Sequence, residues 1–214
     1  TRPNLPRVTR HRTYPGSEQP MVEVNYTYTA KNFLGAGETV SWEEGMDPLY
    51  TVAHTYEYGS TSTQTVSDKA VRWVDRTYNR FHLLTEEKTT QDHCVQLQAT
   101  LYYAEDKPFA QQPAQFQLPR QTTRSWLMDN DASKYREEIT LSAFDVHGNQ
   151  IEEVEPNGVR TVHTYYPKEA SDGCPADPQG FVRNRKDSTI FPSTQEQPGA
   201  PTLHTCLRYL LLPA

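Results

Sequence analysis

The chain has little from which a catalytic or membrane reading can start. It has three cysteines, Cys94, Cys174 and Cys206, and none lies in a CxxC pair. An odd number at wide spacing is no disulfide framework and no structural zinc motif; a Cys174–Cys206 bridge is compatible with the count, as are three free thiols. No apolar run approaches the ~20 residues a membrane span needs, and Leu210-Leu211-Leu212 is far too short. No basic start precedes an apolar core, so no signal peptide is read. Basic residues do not dominate. Lys and Arg number 21 against 27 Asp and Glu, a net charge of −6, which disfavours a nucleic-acid or anionic-membrane surface. The sequence opens on Thr1 without Met, which reads as a piece of a longer chain.

Chemical motifs are missing as well. There is no Gly-x-Ser-x-Gly, P-loop, dinucleotide fingerprint or HExxH. The histidines are scattered: His82 and His93 are too far apart for a helix-borne pair, and His163 stands alone in a strand pattern. Asp129-Asn130-Asp131 does not open an EF-hand loop, because Lys134 and Thr140 stand where Gly and Glu are needed, so it reads as a solvated turn. The acidic pairs Glu43-Glu44, Glu86-Glu87, Glu137-Glu138 and Glu152-Glu153 are sequence neighbours. In a strand such neighbours point to opposite faces and cannot flank one substrate. The expectation is a non-enzyme without cofactor or bound metal.

Only 35% of the residues are hydrophobic, which is polar for a folded chain. Yet 13 Tyr and 7 Phe are far more aromatic residues than a disordered segment carries. A sheet with one wet face satisfies both numbers, since only alternate residues then need be apolar.

The pattern along the chain agrees. Residues 1–20 hold Pro3, Pro6, Pro15 and Pro20 between Arg2, Arg7, Arg10 and Arg12, an extended lead-in with an edge strand at Val8 to Arg12. Val22 to Tyr28 alternates as a half-buried strand. Further strands are expected at Thr39 to Trp42, Tyr50 to Tyr58, Val71 to Tyr78, Phe81 to Lys88, Val95 to Tyr103, Gln121 to Leu127, Phe181 to Ile190 and Leu203 to Leu211, with turns at Gly45 to Pro48 and Gly59 to Thr63. Loops are expected at Pro108 to Pro119, Pro167 to Pro178 and Phe191 to Pro201. No stretch has a capped 3.6-residue period. The fold class is all-β, an antiparallel meander of hairpins. Residues 1–20 form the lead-in, 21–127 a β-rich region, and 128–214 a meander. If exposed, the Val95 to Tyr103 strand is the first suspect for edge pairing.

The meander is clearest from Phe144 to Tyr166. His147-Gly148-Asn149 and Pro156-Asn157-Gly158 are two turn signals that frame a short strand, Gln150 to Glu155. Gly and Asn tolerate the positive φ of tight turns, and Pro156 presets φ ahead of the second. Val159 to Tyr166, rich in β-branched and aromatic residues, follows as a strand. This aromatic-Asp-x-x-Gly-Asn opening, Asn-Gly and closing Tyr resembles one unit of the RHS or YD repeat, with Phe144 where that family usually has Tyr. Asn32-Phe33-Leu34-Gly35, Asp47-Pro48-Leu49-Tyr50, Tyr56-Glu57-Tyr58-Gly59-Ser60, Arg76 to Leu84 and Gln112 to Pro119 resemble the region before the repeats. Asp172 to Pro178 and Gly199 to Leu203 fit downstream. Asp177-Pro178-Gln179-Gly180-Phe181 is similar to the family's self-cleavage signature but lacks its neighbouring glycines and Asn-Pro, and reads as an ordinary turn.

The resemblance implies a fold and a role. Such repeats build the hollow β-shells of bacterial RHS toxins and of insecticidal toxin-complex components. The chain would be a curved arc of that shell, secreted with it. Its partners would be neighbouring RHS repeats and an encapsulated C-terminal toxin domain. Gly148, Asn149, Pro156, Asn157 and Gly158 would hold the turns, and Phe144, Ile151, Val154, Val162 and Tyr165 would pack between strands. The alternative is a carbohydrate-binding β-module in which Tyr26, Tyr28, Tyr56 and Tyr58 stack on glycans, against the plainer reading of cross-strand packing.

Overall fold

The computed structural model describes residues 6–42, 44–193 and 199–211. Arg2 and Pro3 of the lead-in, Glu43, part of the loop expected at 191–201, and Leu212 lie outside the described residues.

Twelve strands follow one another in chain order in a single antiparallel sheet that does not close on itself, the expected all-β meander. They are β1 (Arg10–Thr13), β2 (Val22–Tyr28), β3 (Glu57–Val66), β4 (Lys69–Asn79), β5 (Leu84–Gln91), β6 (Cys94–Tyr102), β7 (Pro119–Met128), β8 (Asp131–Phe144), β9 (Gln150–Val154), β10 (Arg160–Tyr165), β11 (Arg185–Phe191) and β12 (Leu203–Cys206). Two single-turn 3-10 helices, Pro48–Thr51 and Phe109–Gln111, complete the elements. The chain divides into two compact units. One holds the residues up to Thr100 with Glu105–Gln112 and Thr123–Glu137; the other holds Leu101–Ala104, Pro113–Thr122 and the chain from Glu138 onward.

One turn design recurs, and it explains much of the meander. At Asn32, Asn79, Asp145 and Asp177 the side-chain oxygen accepts the backbone N–H groups two and four residues on, at 2.8–3.3 Å. The carbonyl of each accepts the N–H three residues on, and that third residue has positive φ: Gly35, His82, Gly148 and Gly180. A short Asx side chain thus supplies the acceptors that a reversing backbone would otherwise leave to water. The Asn79 and Asp145 turns close the β4–β5 and β8–β9 hairpins. Two others, Ser67-Asp68 and Asp129-Asn130, are two-residue turns with positive φ at both positions and no glycine, the type I′ geometry that matches strand twist.

Several expected elements are corrected. Tyr50 does not begin a strand. Asp47 caps the first 3-10 turn, accepting from Leu49 N at 2.9 Å, with Pro48 at its first position, a pairing that starts helical turns and not strands. Gly59 to Thr63 is no turn but the middle of β3. The Gly-Ser-Thr composition is misleading there, because Gly59 serves close approach: a Cβ would sit 2.3 Å from the Arg76 carbonyl oxygen of β4. Thr39 to Trp42 forms no strand, since β2 is already paired on both sides by β1 and β3. Val40 packs instead on a small core of Leu49, Val52 and Tyr56. Phe181 to Asn184 stays irregular because the Asp177 turn holds it, and β12 ends at Cys206. The Val95 to Tyr103 run is no edge, lying as β6 between β5 and β7; among the described strands the edges are β1 and β12. The three cysteines are free, so no Cys174–Cys206 bridge exists.

Burial also departs from a simple wet-face and dry-face sheet. Val22 to Tyr26 of β2 are half-buried at every position, whichever way they point. All described strands belong to one sheet, so cross-strand neighbours supply the cover that a second sheet gives in a sandwich.

Candidate functional site

The richest cluster of aromatic and charged groups lies in the first unit, at the ends of β2 and β3. Tyr28 closes β2, and the Asn32 turn carries Lys31 and Phe33 to the same place. Tyr58 and Tyr78 are directly opposed on β3 and β4, their rings stacked at 5.3 Å between centroids. With Arg7 they line a cleft of about 280 Å³. The Arg7 guanidinium sits 4.8 Å from the centre of the Tyr28 ring and 5.8 Å from that of Phe33, and the Tyr28 hydroxyl donates to the Val8 carbonyl at 2.7 Å. The result is a concave apolar floor with a cationic rim.

Behind the floor runs a hydrogen-bond chain. The Tyr58 hydroxyl is 2.7 Å from His82 Nδ1, and His82 Nε2 is 2.6 Å from Asp47 Oδ2. Burial, helped by the nearby Tyr78 and Asp47, pushes the Tyr58 phenol up to about 12, so it keeps its proton at neutral pH. In the tautomer that carries its proton on Nε2, His82 donates to Asp47 and accepts from Tyr58 at Nδ1. This is a hydrolase-like order of groups with the hydroxyl tuned away from ionisation. It ties β3, the Asn79 turn and the 3-10 turn together. His82 is the one turn residue of its kind that is not glycine (φ +61), and these two bonds offset the strain of that backbone.

The sequence-derived aromatic candidates divide. Tyr28 and Tyr58 line the cleft. Tyr26 is half-buried and outside its lining. Tyr56 must be withdrawn as a stacking residue: it is 1% exposed, and its hydroxyl is used by Asn32 N, Asn32 O and Ala36 O. Phe33 and Tyr78 escaped notice because a loop and a second strand bring them in.

In the second unit the turn candidates fall between strands. Gly148 and Gly158 both adopt φ +82. Asn149 donates to Asp145 Oδ2 at 3.0 Å and to the Val182 carbonyl at 2.8 Å, and Asn157 Oδ1 accepts from Val159 N at 2.9 Å. Pro156 is exposed. Phe144 meets Tyr103 edge-on at 6.4 Å, and the Tyr165 hydroxyl donates to the Gln150 carbonyl at 2.9 Å. Val154 is paired with Leu141 and Arg160, Val162 with Glu152 and Thr189, and Ile151 is half-buried on β9.

Three metal-ligating side chains come together at one place among the described residues, Asp187, His204 and Cys206 on β11 and β12. The sequence signal was His204-Thr205-Cys206, two ligand types at a spacing that puts both on one face of a strand. No model of a known protein family matches the chain, and no curated protein matches it.

Proposed function

We propose that the chain is a structural segment of an RHS-type β-shell, a wall that encloses a C-terminal toxic domain of the same or a partner chain and is exported with it. The observation that carries this reading is the turn built four times in a meander whose strands pair only with their chain neighbours. Nearest-neighbour pairing through repeated local units is how quasi-one-dimensional repeat proteins are assembled. The single sheet adds support: each end strand pairs on one side only among the described strands, and exposed backbone edges demand a neighbour. Further repeats would pair with β1 and β12. The role is mechanical, and no catalytic step is assigned.

The reading frame on either side of residues 1–214 is the test. Further Asx-x-x-Gly units followed by an unrelated C-terminal domain are expected. A frame that stops close to Ala214 would overturn the proposal, since no shell could close.

The cleft favours a second reading, glycan binding. Flat aromatic faces stack on sugar rings, and Arg7 and Lys31 at the rim favour a sugar acid over a neutral one. Binding on an array of acidic glycans, lost in Tyr28→Ala and in Tyr78→Ala, is expected. Silence across the array removes this reading and leaves the wall untouched.

A further inference from the structure

The end strand β12 and its neighbour β11 bring together three side chains of different chemistry. Asp187 lies on β11 directly opposite Cys206 of β12, and His204 stands two residues before Cys206 on the same face. His204 Nε2 is 3.3 Å from Asp187 Oδ1, and the Cys206 sulfur is 3.8 Å from His204 Nε2. The three ligand atoms lie within 4.8 Å of one another.

Those separations can be compared with what a metal requires. With Zn–O and Zn–N near 2.1 Å and Zn–S near 2.3 Å, tetrahedral angles put ligand atoms about 3.4–3.6 Å apart. The Asp–His edge is close to that length and the Cys–His edge exceeds it by a few tenths of an ångström; the sulfur is also 3.8 Å from His204 Nδ1, so the imidazole turns to bring Nε2 onto a shared ion. The other carboxylate oxygen, Asp187 Oδ2, accepts from Thr164 Oγ1 of β10 at 3.0 Å. A ligating carboxylate is characteristically steadied in this way by a second partner. A cleft of about 370 Å³ adjoins Asp187 and Cys206 and leaves room beyond them.

We propose that Asp187, His204 and Cys206 form a zinc site with three protein ligands and an open fourth position. The mixed oxygen, nitrogen and sulfur set selects a borderline-soft ion and disfavours calcium or magnesium, which take oxygen ligands. Binding releases the thiol proton of Cys206 as the thiolate coordinates. The ion staples the four-residue edge strand β12 to β11. Its fourth position takes water, or a ligand from whatever chain pairs along that edge.

Calorimetric titration of the whole chain with zinc, under a non-thiol reductant, tests the site. One ion per chain is expected, with affinity at least tenfold weaker in Cys206→Ser and in His204→Ala. Cobalt in place of zinc reports geometry independently: visible bands of four-coordinate cobalt with a sulfur-to-cobalt charge-transfer band, the latter lost in Cys206→Ser and kept in Cys94→Ser. His204 and Cys206 are exposed, so both variants should melt like the metal-free parent. No stoichiometric binding, or binding unchanged in Cys206→Ser and His204→Ala, overturns the proposal.

Discussion

At the scale of single residues, three glycines do different work. Gly148 and Gly158 share φ +82, but their surroundings differ. A Cβ on Gly148 meets only Leu118 Cδ1 at 3.9 Å, whereas on Gly158 it meets Ser193 Oγ at 2.9 Å. Gly59 needs no special φ, yet its Cβ would strike the Arg76 carbonyl oxygen. Gly148→Ala should cost about 1 kcal/mol, for the left-handed backbone alone. Gly158→Ala should cost about 2 kcal/mol, and Gly59→Ala about 3 kcal/mol because two strands must part. Urea unfolding checks the ranking; Gly59→Ala as mild as Gly148→Ala would refute the close approach of β3 and β4.

The Asx side chains give the turns a pH dependence. Burial opposes ionisation of Asp145, but hydrogen bonds from the Asn149 side chain and the Asn149 and His147 backbones outweigh it and hold the carboxyl below its ordinary value. Asp177 is likewise depressed: burial opposes, and the Phe181 and Gln179 N–H groups and Arg183 prevail. A depressed native value means stability that is full above the unfolded-state value, about 3.9, and lost as pH falls through the native one. The protein should therefore lose stability below about pH 4. Asp145→Asn keeps an acceptor for both N–H groups, as Asn32 and Asn79 do, so its loss of stability on acidification should be smaller than the parent's. Thermal melts from pH 6 to pH 3 decide this, and an unchanged acid slope would rule Asp145 out as a contributor.

At the scale of elements, the edges matter most. β12 is four residues long and exposed throughout, with Leu203 58% exposed. Its unpaired backbone groups and its exposed Leu203 offer a template to another strand, although its shortness limits the pairing. The chain by itself should associate at raised concentration, and Leu203→Lys should reduce that, since a charge on an edge blocks pairing. Light scattering against concentration is the measurement; equal association of parent and variant would point to another surface. The hairpins were read from glycine and asparagine at 144–166, and that stretch is where the expected strands, Gln150 to Glu155 and Val159 to Tyr166, lie within one residue of β9 and β10. Ser67-Asp68 went unread as a turn because it has no glycine and the neighbouring strand supplies the reason for its positive φ.

At the scale of the molecule, fully buried apolar side chains are few in each unit among the described residues. The first gathers Leu49, Val52 and Tyr56 under a 3-10 turn, and the second buries Tyr166 and Cys174. Stability therefore rests on cross-strand pairs and turn hydrogen bonds, distributed along the chain. Composition alone pointed to a sheet: few apolar residues and many aromatics fit half-buried strands better than a thick core.

The sequence by itself determined the all-β class, the meander order and the two reversals at 145–149 and 156–158. Those depend on period-two patterning and on residues that accept positive φ, and both are local properties that act over two to five residues. The tertiary structure decided which side chains meet. Tyr28, Phe33 and Tyr78 become one cleft, Asp47, His82 and Tyr58 one hydrogen-bond chain, and Asp187, His204 and Cys206 one cluster. Each grouping depends on the register of paired strands and on where a loop folds back. A shift of one residue turns every side chain of a strand to the opposite face, and that register comes from the whole set of pairings, not from any one segment.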